Sequence, residues 1–291
     1  MRDLLKVFLD HLQYEKRSSR HTVAAYRSDL EQLGVYLLEQ GKLPGQAERN
    51  DLRGWVVLLA GQKLSPVSIN RKIAAMRAFY KFLKRKGFIE NDPAGFLNSL
   101  KKPKKPPGFV EESAMELLFE EVNFEDSASG RRDRLVIEIL YGTGMRLSEL
   151  IGLKIEDVNI PAATLKVFGK RSKERIIPVT RSLITLIGNC ITEREPVESD
   201  APLIVTDKGE PLYPVFVQRL VKKYLSAVTS IEHKSPHLLR HTYATHLLNR
   251  GADLNAIKEL LGHAGLAATQ VYTHNAIEEL KRTFLQAHPK A

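Results

Sequence analysis

The chain has 291 residues, of which 43% are hydrophobic and 7% aromatic; this exceeds what one compact core ordinarily takes, so two globular domains are expected and a fibrous or disordered chain is excluded. Its single cysteine, Cys190, excludes an intramolecular disulfide and a cysteine-built zinc cluster, and with no secretory leader legible it sets the expectation of a reducing, cytoplasmic setting. The formal net charge of +10 is unevenly spread: residues 1 to 107 hold 21 Lys and Arg against 10 Asp and Glu, net +11, while residues 108 to 291 hold 23 against 24, net −1. An excess confined to the first third points to a polyanion partner, most simply nucleic acid, because neutralising phosphates releases counterions.

The first apolar run, LLKVFLDHL, is interrupted by Lys6 and Asp10, and Leu5, Phe8, Leu9 and Leu12 fall at helical spacing. That pattern predicts an amphipathic core helix rather than a membrane span. Four helices are expected before residue 101. The clearest has Ser65 as N-cap, Pro66 at its first position and Gly87 as its stop, with Ile69, Ile73, Met76, Tyr80 and Leu83 as its core stripe. Arg77, Lys81, Lys84 and Arg85 share a sector of roughly 100° beside that stripe and are placed to grip a duplex backbone. Arg71 lies nearer the opposite face and is a weaker candidate. The segment KKPKKPPG, Lys101 to Gly108, cannot continue a helix and coincides with the shift in charge, so the domain boundary is expected there. At ~3.1 Å per residue its extended length is about 25 Å, enough to pass round the side of a duplex.

Beyond the linker the chain reads as mostly helical. In LYGTGMRLSEL, Gly142 and Gly144 are expected to break a helix and Arg146 to emerge just after the turn, with Glu149 or Glu156 as its simplest ion-pair partner. Thr164 to Phe168 and Arg175 to Pro178 read as strands closing on the turn GKRSKE, with a third strand near Ile155 to Val158. Lys170 or Lys173 in that turn is placed to reach a groove and donate a proton. In SPHLLRHTYATHLL, Ser235 caps, Pro236 starts and Gly251 ends a helix. His237 and Arg240 then sit side by side in its first turns, where free N–H groups and a forked donor suit phosphate oxygens. Asp253 caps a short helix stopped by Gly262, His263 follows in the turn, and Tyr272 falls on the next helical segment. A tyrosine there is a core residue or a nucleophile.

Two arginines, two histidines, a lysine and a tyrosine supply what phosphoryl transfer needs without a metal or other cofactor: charge stabilisation, proton transfer and a nucleophile. The motifs GTGMRLSEL, GKRSKER, HLLRH, LLGH and YTH, in that order, resemble those of the tyrosine recombinases of the phage integrase family, and the size resembles the Xer branch. The spacing is specific: three residues from His237 to Arg240, twenty-three more to His263 and nine more to Tyr272.

The resemblance implies a mainly α protein. A basic helical-bundle DNA-binding domain would span residues 1–100 and a linker 101–108; residues 109–291 would form a larger, mostly helical catalytic domain with a small three-stranded antiparallel sheet. It implies that Arg146 and Arg240 hold the nonbridging oxygens of the scissile phosphate. His237 and His263 would assist with proton handling, Lys170 would protonate the departing 5′ oxygen, and Tyr272 would attack to give a 3′-phosphotyrosyl link. Arg171 stands where relatives carry glycine, which leaves Lys173 open as the acid, and Ala264 and Ala268 stand where polar residues are common. The implied partners are double-stranded DNA, further copies or a paralogue in a tetramer on DNA, and a DNA translocase; the free protein would be a monomer, with no membrane partner. The implied role is chromosome dimer resolution. Type IB topoisomerase-like relaxation and non-catalytic DNA-binding regulation are the alternatives. Ile277, Leu280, Phe284 and Leu285 form an apolar stripe that needs a groove, either on its own domain or, as the resemblance suggests, on a neighbouring protomer.

Overall fold

The computed structural model describes residues 2–101, 108–122, 124–169, 174–194, 196–262, 284 and 286–289. Lys170, Lys173, His263 and Tyr272, and most of the tail stripe, lie outside the described residues. The chain divides into two compact units, Met1–Lys105 and Pro106–Ala291.

The first unit is helical. Helix α1 (Arg2–Asp10) runs on into one π-helical turn, His11–Glu15, and is followed by α2 (Arg20–Glu39), α3 (Arg49–Gly61) and α4 (Pro66–Arg85). The apolar spacing read from the sequence is the spacing of the core: Leu5, Phe8, Leu9 and Leu12 of the first helix are buried, as are all five stripe residues of α4. Ser65 accepts the amide of Ser68 at 3.2 Å, satisfying a donor that the first helical turn leaves unpaired. Between α2 and α4 lies a buried polar contact: the Lys72 ammonium donates to Asp29 at 2.9 Å and to Gln32 at 2.7 Å. A lysine on an apolar face is tolerated there because its charge is paired as it leaves water.

The second unit is built on α6 (Ala128–Thr143), which is buried almost along its whole length. Around it come α5 (Glu112–Glu120), α7 (Leu147–Ile151), α8 (Arg181–Thr192), α9 (Pro214–Val228), α10 (Pro236–Asn249) and α11 (Leu254–Leu261). The sheet is antiparallel in the order β1 (Val158–Asn159), β2 (Thr164–Phe168), β3 (Glu174–Pro178), with Thr164 opposite Pro178 and Phe168 opposite Glu174. The mainly α reading with a small three-stranded sheet therefore holds. Its first strand is displaced from the expected place: Ile155–Asp157 form a 3-10 turn, because the Asp157 carboxylate accepts the Lys154 amide at 3.0 Å and closes the chain into a local turn.

One expected helix break is also corrected. Gly142 lies inside α6, where it allows close packing, since a Cβ would stand 3.2 Å from Leu183. Gly144 alone ends the helix, at φ +59°, the left-handed conformation that glycine adopts without a Cβ penalty.

Among the described residues no helix is long and apolar enough to cross a membrane.

Candidate functional site

The C-terminal end of α6, the N-cap of α7, strand β3 and the ends of α10 and α11 converge on a cluster of guanidinium groups. Arg146, the residue before α7, has its backbone N–H accepted by Glu149 at 2.7 Å, as an N-terminal carboxylate does in a capping box. Its side chain donates to the same carboxylate at 2.8 Å and to the Gly262 carbonyl at 2.9 Å. Arg240, one turn into α10, is 7% exposed and donates to the carbonyls of Gly144 and Leu261, both at 2.6 Å. The two arginines are thus anchored to adjacent carbonyls at the end of α11. Each guanidinium has five N–H donors, and among the described residues each makes two bonds. Donors remain for a ligand.

A third arginine belongs to this cluster. Arg175 of β3 grips both oxygens of Glu149 at 2.8 Å and donates through Nε to the Leu260 carbonyl at 3.0 Å. Burial raises the pKa of Glu149, yet the bonds from Arg175 and from the Arg146 amide outweigh it and hold the carboxyl below the usual range. Arg240 shows the opposite imbalance. Burial, and then the neighbouring Arg146 and Arg175, push its pKa down to about 10. It stays cationic at neutral pH, but it is a buried cation without its own carboxylate. A phosphate oxygen in front of it would supply the missing charge.

Gly144 makes the close approach possible. A Cβ built there would fall 2.4 Å from Tyr243 and 2.9 Å from Leu261, so only glycine lets the α6 terminus offer its carbonyl to Arg240.

Helix α10 is held from behind. The His246 ring is fully buried, with Nε2 2.8 Å from the Val110 carbonyl and Nδ1 2.9 Å from the Tyr141 hydroxyl. A carbonyl only accepts, so Nε2 carries the proton and Nδ1 receives the hydroxyl. Val110 in turn donates its amide to Thr242 at 3.0 Å. Burial lowers the His246 pKa and keeps the ring neutral in this role.

His237 is exposed in the first turn of α10, where Ser235 accepts the Leu238 amide at 3.4 Å. An open groove of about 440 Å³ runs alongside, lined by Val215, Gln218, Arg219, Lys222, Lys234 and Ser235. Its three cations were not singled out in the sequence, where they are diluted by the near-neutral charge of the second unit. In the first unit, Lys81 and Lys84 are exposed and Arg77 is half-buried, beside the core stripe as expected. Arg85 stands 2.9 Å from His11 Nε2, and Arg71 is tied to buried Asp29 at 3.0 Å.

The sequence brought Arg146, His237 and Arg240 to attention, and the structure brings Arg146 and Arg240 together. It missed Arg175. The available signal was strand alternation: Arg175 and Ile177 are the inward pair of β3, and a cation on the apolar face of a strand demands a buried partner.

Of the apolar tail stripe, Phe284 alone is among the described residues. Phe284 is completely buried in the cluster formed by Tyr243, Leu247, Ile257, Leu260 and Leu261 of its own chain. His288 lies 3.0 Å from the Gly142 carbonyl, and its own carbonyl accepts Arg250 at 3.4 Å. Phe284 is thus seated against α10 and α11 of its own chain, while Ile277, Leu280 and Leu285 lie outside the described residues.

Residues 109–279 match the phage integrase family, and residues 5–87 match the phage integrase N-terminal SAM-like domain. The tyrosine recombinase XerC of Chlorobaculum parvum is 39% identical, with 99% of this chain and 94% of that protein covered. The tyrosine recombinase XerC of Pelobacter propionicus is 38% identical, with 99% and 95% covered. Among solved structures, the XerH site-specific recombinase bound to difH substrate in a pre-cleavage complex matches with a TM-score of 0.66 and 26% identity, over 88% of this chain and 78% of that one.

Proposed function

Because the chain belongs to the phage integrase family and is a tyrosine site-specific recombinase, we propose that it cuts and rejoins DNA through Tyr272 in order to resolve chromosome dimers in the cytoplasm. The observation that carries the reading is the paired anchoring of Arg146 and Arg240 on the adjacent carbonyls of Gly262 and Leu261. Two guanidiniums fixed side by side, one of them short of counter-charge, form a cradle for the nonbridging oxygens of one phosphate.

In the proposed reaction the Tyr272 oxygen attacks phosphorus and the 5′ oxygen leaves, so one P–O bond forms as another breaks. Charge accumulating on the nonbridging oxygens falls on Arg146 and Arg240, whose positions are set before the substrate arrives. His237 and His263 handle protons, and Lys170 protonates the departing oxygen, with Lys173 the other hairpin lysine open to that role. The resulting phosphotyrosyl ester retains the phosphodiester bond energy, so a 5′ hydroxyl from another strand can reverse the step without ATP.

Arg77, Lys81, Lys84 and Arg85 supply salt-dependent affinity through backbone phosphates, with Arg71 a lesser contributor. The basic groove of Arg219, Lys222 and Lys234 extends that function to the second unit. On DNA the protein works as a tetramer, with itself or with a paralogue, and a DNA translocase brings the sites together. The name XerC carried by the relatives supports the assignment to chromosome resolution.

The test uses a nicked half-site. Tyr272→Phe is expected to bind it as the wild type does and to give no covalent protein–DNA adduct on a denaturing gel. Adduct at the wild-type level ends the assignment of Tyr272.

A further inference from the structure

The arrangement of Arg175 exceeds what holding a strand in place requires. Arg175 is 5% exposed and links three separate elements. It lies on β3; it grips both oxygens of Glu149 in α7; and it donates to Leu260 in the last turn of α11. The next turn, at Gly262, presses against the same group, since a Cβ there would lie 3.1 Å from its Cδ and Nη1. We propose that Arg175 is a positioning residue for the recombination reaction, one that shares the Glu149 carboxylate with Arg146, so that the carboxylate holds Arg146 in place without neutralising it. This inference rests on the proposed roles of Arg146 and Tyr272.

The electrostatic argument concerns one carboxylate shared by two cations. Glu149 is nearly fully buried and accepts Arg146 and Arg175 on the same oxygen, Oε1, each at 2.8 Å. Were Arg146 the sole partner, the pair would be a neutral buried salt bridge, and a phosphate would have to compete with Glu149 for the same guanidinium. With Arg175 present, three guanidiniums stand against one carboxylate and the cluster keeps a net charge of +2. The phosphodiester brings one negative charge and its transition state develops a second, so the surplus is matched to the state that must be stabilised. Arginine suits this place better than lysine, because only a planar fork covers both carboxylate oxygens while a third N–H reaches Leu260.

The geometric argument concerns which parts move together. Removing Arg175 would leave the Leu260 carbonyl without its side-chain donor and would let the end of α11 shift, and with it the Gly262 carbonyl that anchors Arg146. A displacement of about 1 Å at such groups is enough to cost on the order of 10²-fold in rate.

The experiment is a double-mutant cycle on single-turnover cleavage of a nicked half-site, with Arg146→Ala, Arg175→Gln and the double variant. Half-site affinity and thermal midpoint are measured alongside. Arg175→Gln is expected to slow cleavage by about 10²-fold while half-site affinity changes less than about threefold, as for a group that contacts no substrate. In the Arg146→Ala background the same change should cost less than about threefold, because a residue acting through Arg146 has little left to act on. Losses that multiply in full across the cycle, or that track a fall in thermal midpoint in both backgrounds, overturn the proposal and leave Arg175 a structural strut. Should Arg175→Gln fail to fold, the cycle is run with Arg175→Lys, which keeps the charge and gives up the two-pronged grip. A loss of about threefold to tenfold that vanishes beside Arg146→Ala supports the proposal, and no loss or an additive one overturns it. Tyr272→Phe is scored on the same gels: surviving adduct would remove the nucleophile assignment, whereas the role of Arg175 is read from the rates and the cycle alone.

Discussion

Gly144 and Gly209 both adopt positive φ, +59° and +75°, yet they differ in surroundings, and the difference isolates one contribution to the site. A Cβ at Gly209 meets nothing within 4 Å, whereas at Gly144 it would fall 2.4 Å from Tyr243 Cδ1 and 2.9 Å from Leu261 Cδ2. Gly209→Ala should therefore cost only the left-handed backbone penalty, about 1–2 kcal/mol. Gly144→Ala carries the same penalty plus the overpacking of a filled core, about 1–3 kcal/mol more. It should also slow cleavage, because the Gly144 carbonyl that must shift is one of the two anchors of Arg240. The choice of assay matters. The one tryptophan, Trp55, is buried in the first unit, so its fluorescence is blind to this change. Hydrogen exchange of the buried amides of α6 and α10 in the full chain reads the second unit directly. Equal exchange free energies for Gly144→Ala and Gly209→Ala would refute the claim that Tyr243 and Leu261 leave no room for a side chain, and with it the account of how the α6 terminus reaches Arg240.

Three further outcomes are expected. Removing either Arg146 or Arg240 should slow cleavage by a factor on the order of 10² to 10³, the scale for one preorganised donor, and EDTA should leave wild-type cleavage unchanged; cleavage abolished by EDTA and restored by magnesium would replace this scheme. The folded pKa of His246 is lowered from 6.5, first by burial, so the unfolded chain binds its proton more readily. Stability should hold above about pH 6.5 and fall as the pH drops below it, by at most ~1.4 kcal/mol per pH unit for one proton. Chemical denaturation at pH 5.5 and 7.5 should show this slope, with His246→Gln flattening it. Phe284→Ala should destabilise the free, DNA-less protein by about 3–5 kcal/mol, the usual loss for a buried phenylalanine, read by exchange at α10 and α11; unchanged protection would mean that the tail is not seated in cis in solution.

What the sequence disclosed and what it hid separate along a physical line. Helix faces were legible because burial of one face imposes a period of 3.6 residues, and the Ile69 to Leu83 stripe of α4 follows it. Caps were legible at Ser65, Ser235 and Asp253 because a short polar side chain beside a free amide is a local matter. The two-strand pairing was legible from Thr164 to Phe168 for the same reason. The termination at Gly144 rather than Gly142 was not, because it depends on Leu183, Tyr243 and Leu261, which are remote in the chain. Arg146 and Arg240 were found from motif spacing, but their mutual anchoring runs through Leu261 and Gly262. The Glu149–Arg175 grip crosses from helix to sheet over 26 residues, and no local pattern encodes such a pairing beyond a cation on the inward face of β3. The tail stripe showed that a groove was required but not which chain supplies it, since an amphipathic pattern specifies a face and not its partner.

The burial of Phe284 also bears on the order in which the protein comes into being. The core of the first unit draws on residues 5 to 97 and can close while the rest of the chain is still being made. The cluster of Tyr243, Leu247, Leu260 and Leu261 is completed by Phe284 and Ala287, and it lies directly behind Gly144 and the anchors of Arg240. Synthesis runs from the N-terminus, and domains fold as units when their residues become available. A nascent chain would therefore present a folded, basic first unit well before its arginine cradle is backed by a finished core, so the capacity to hold DNA precedes the capacity to cut it.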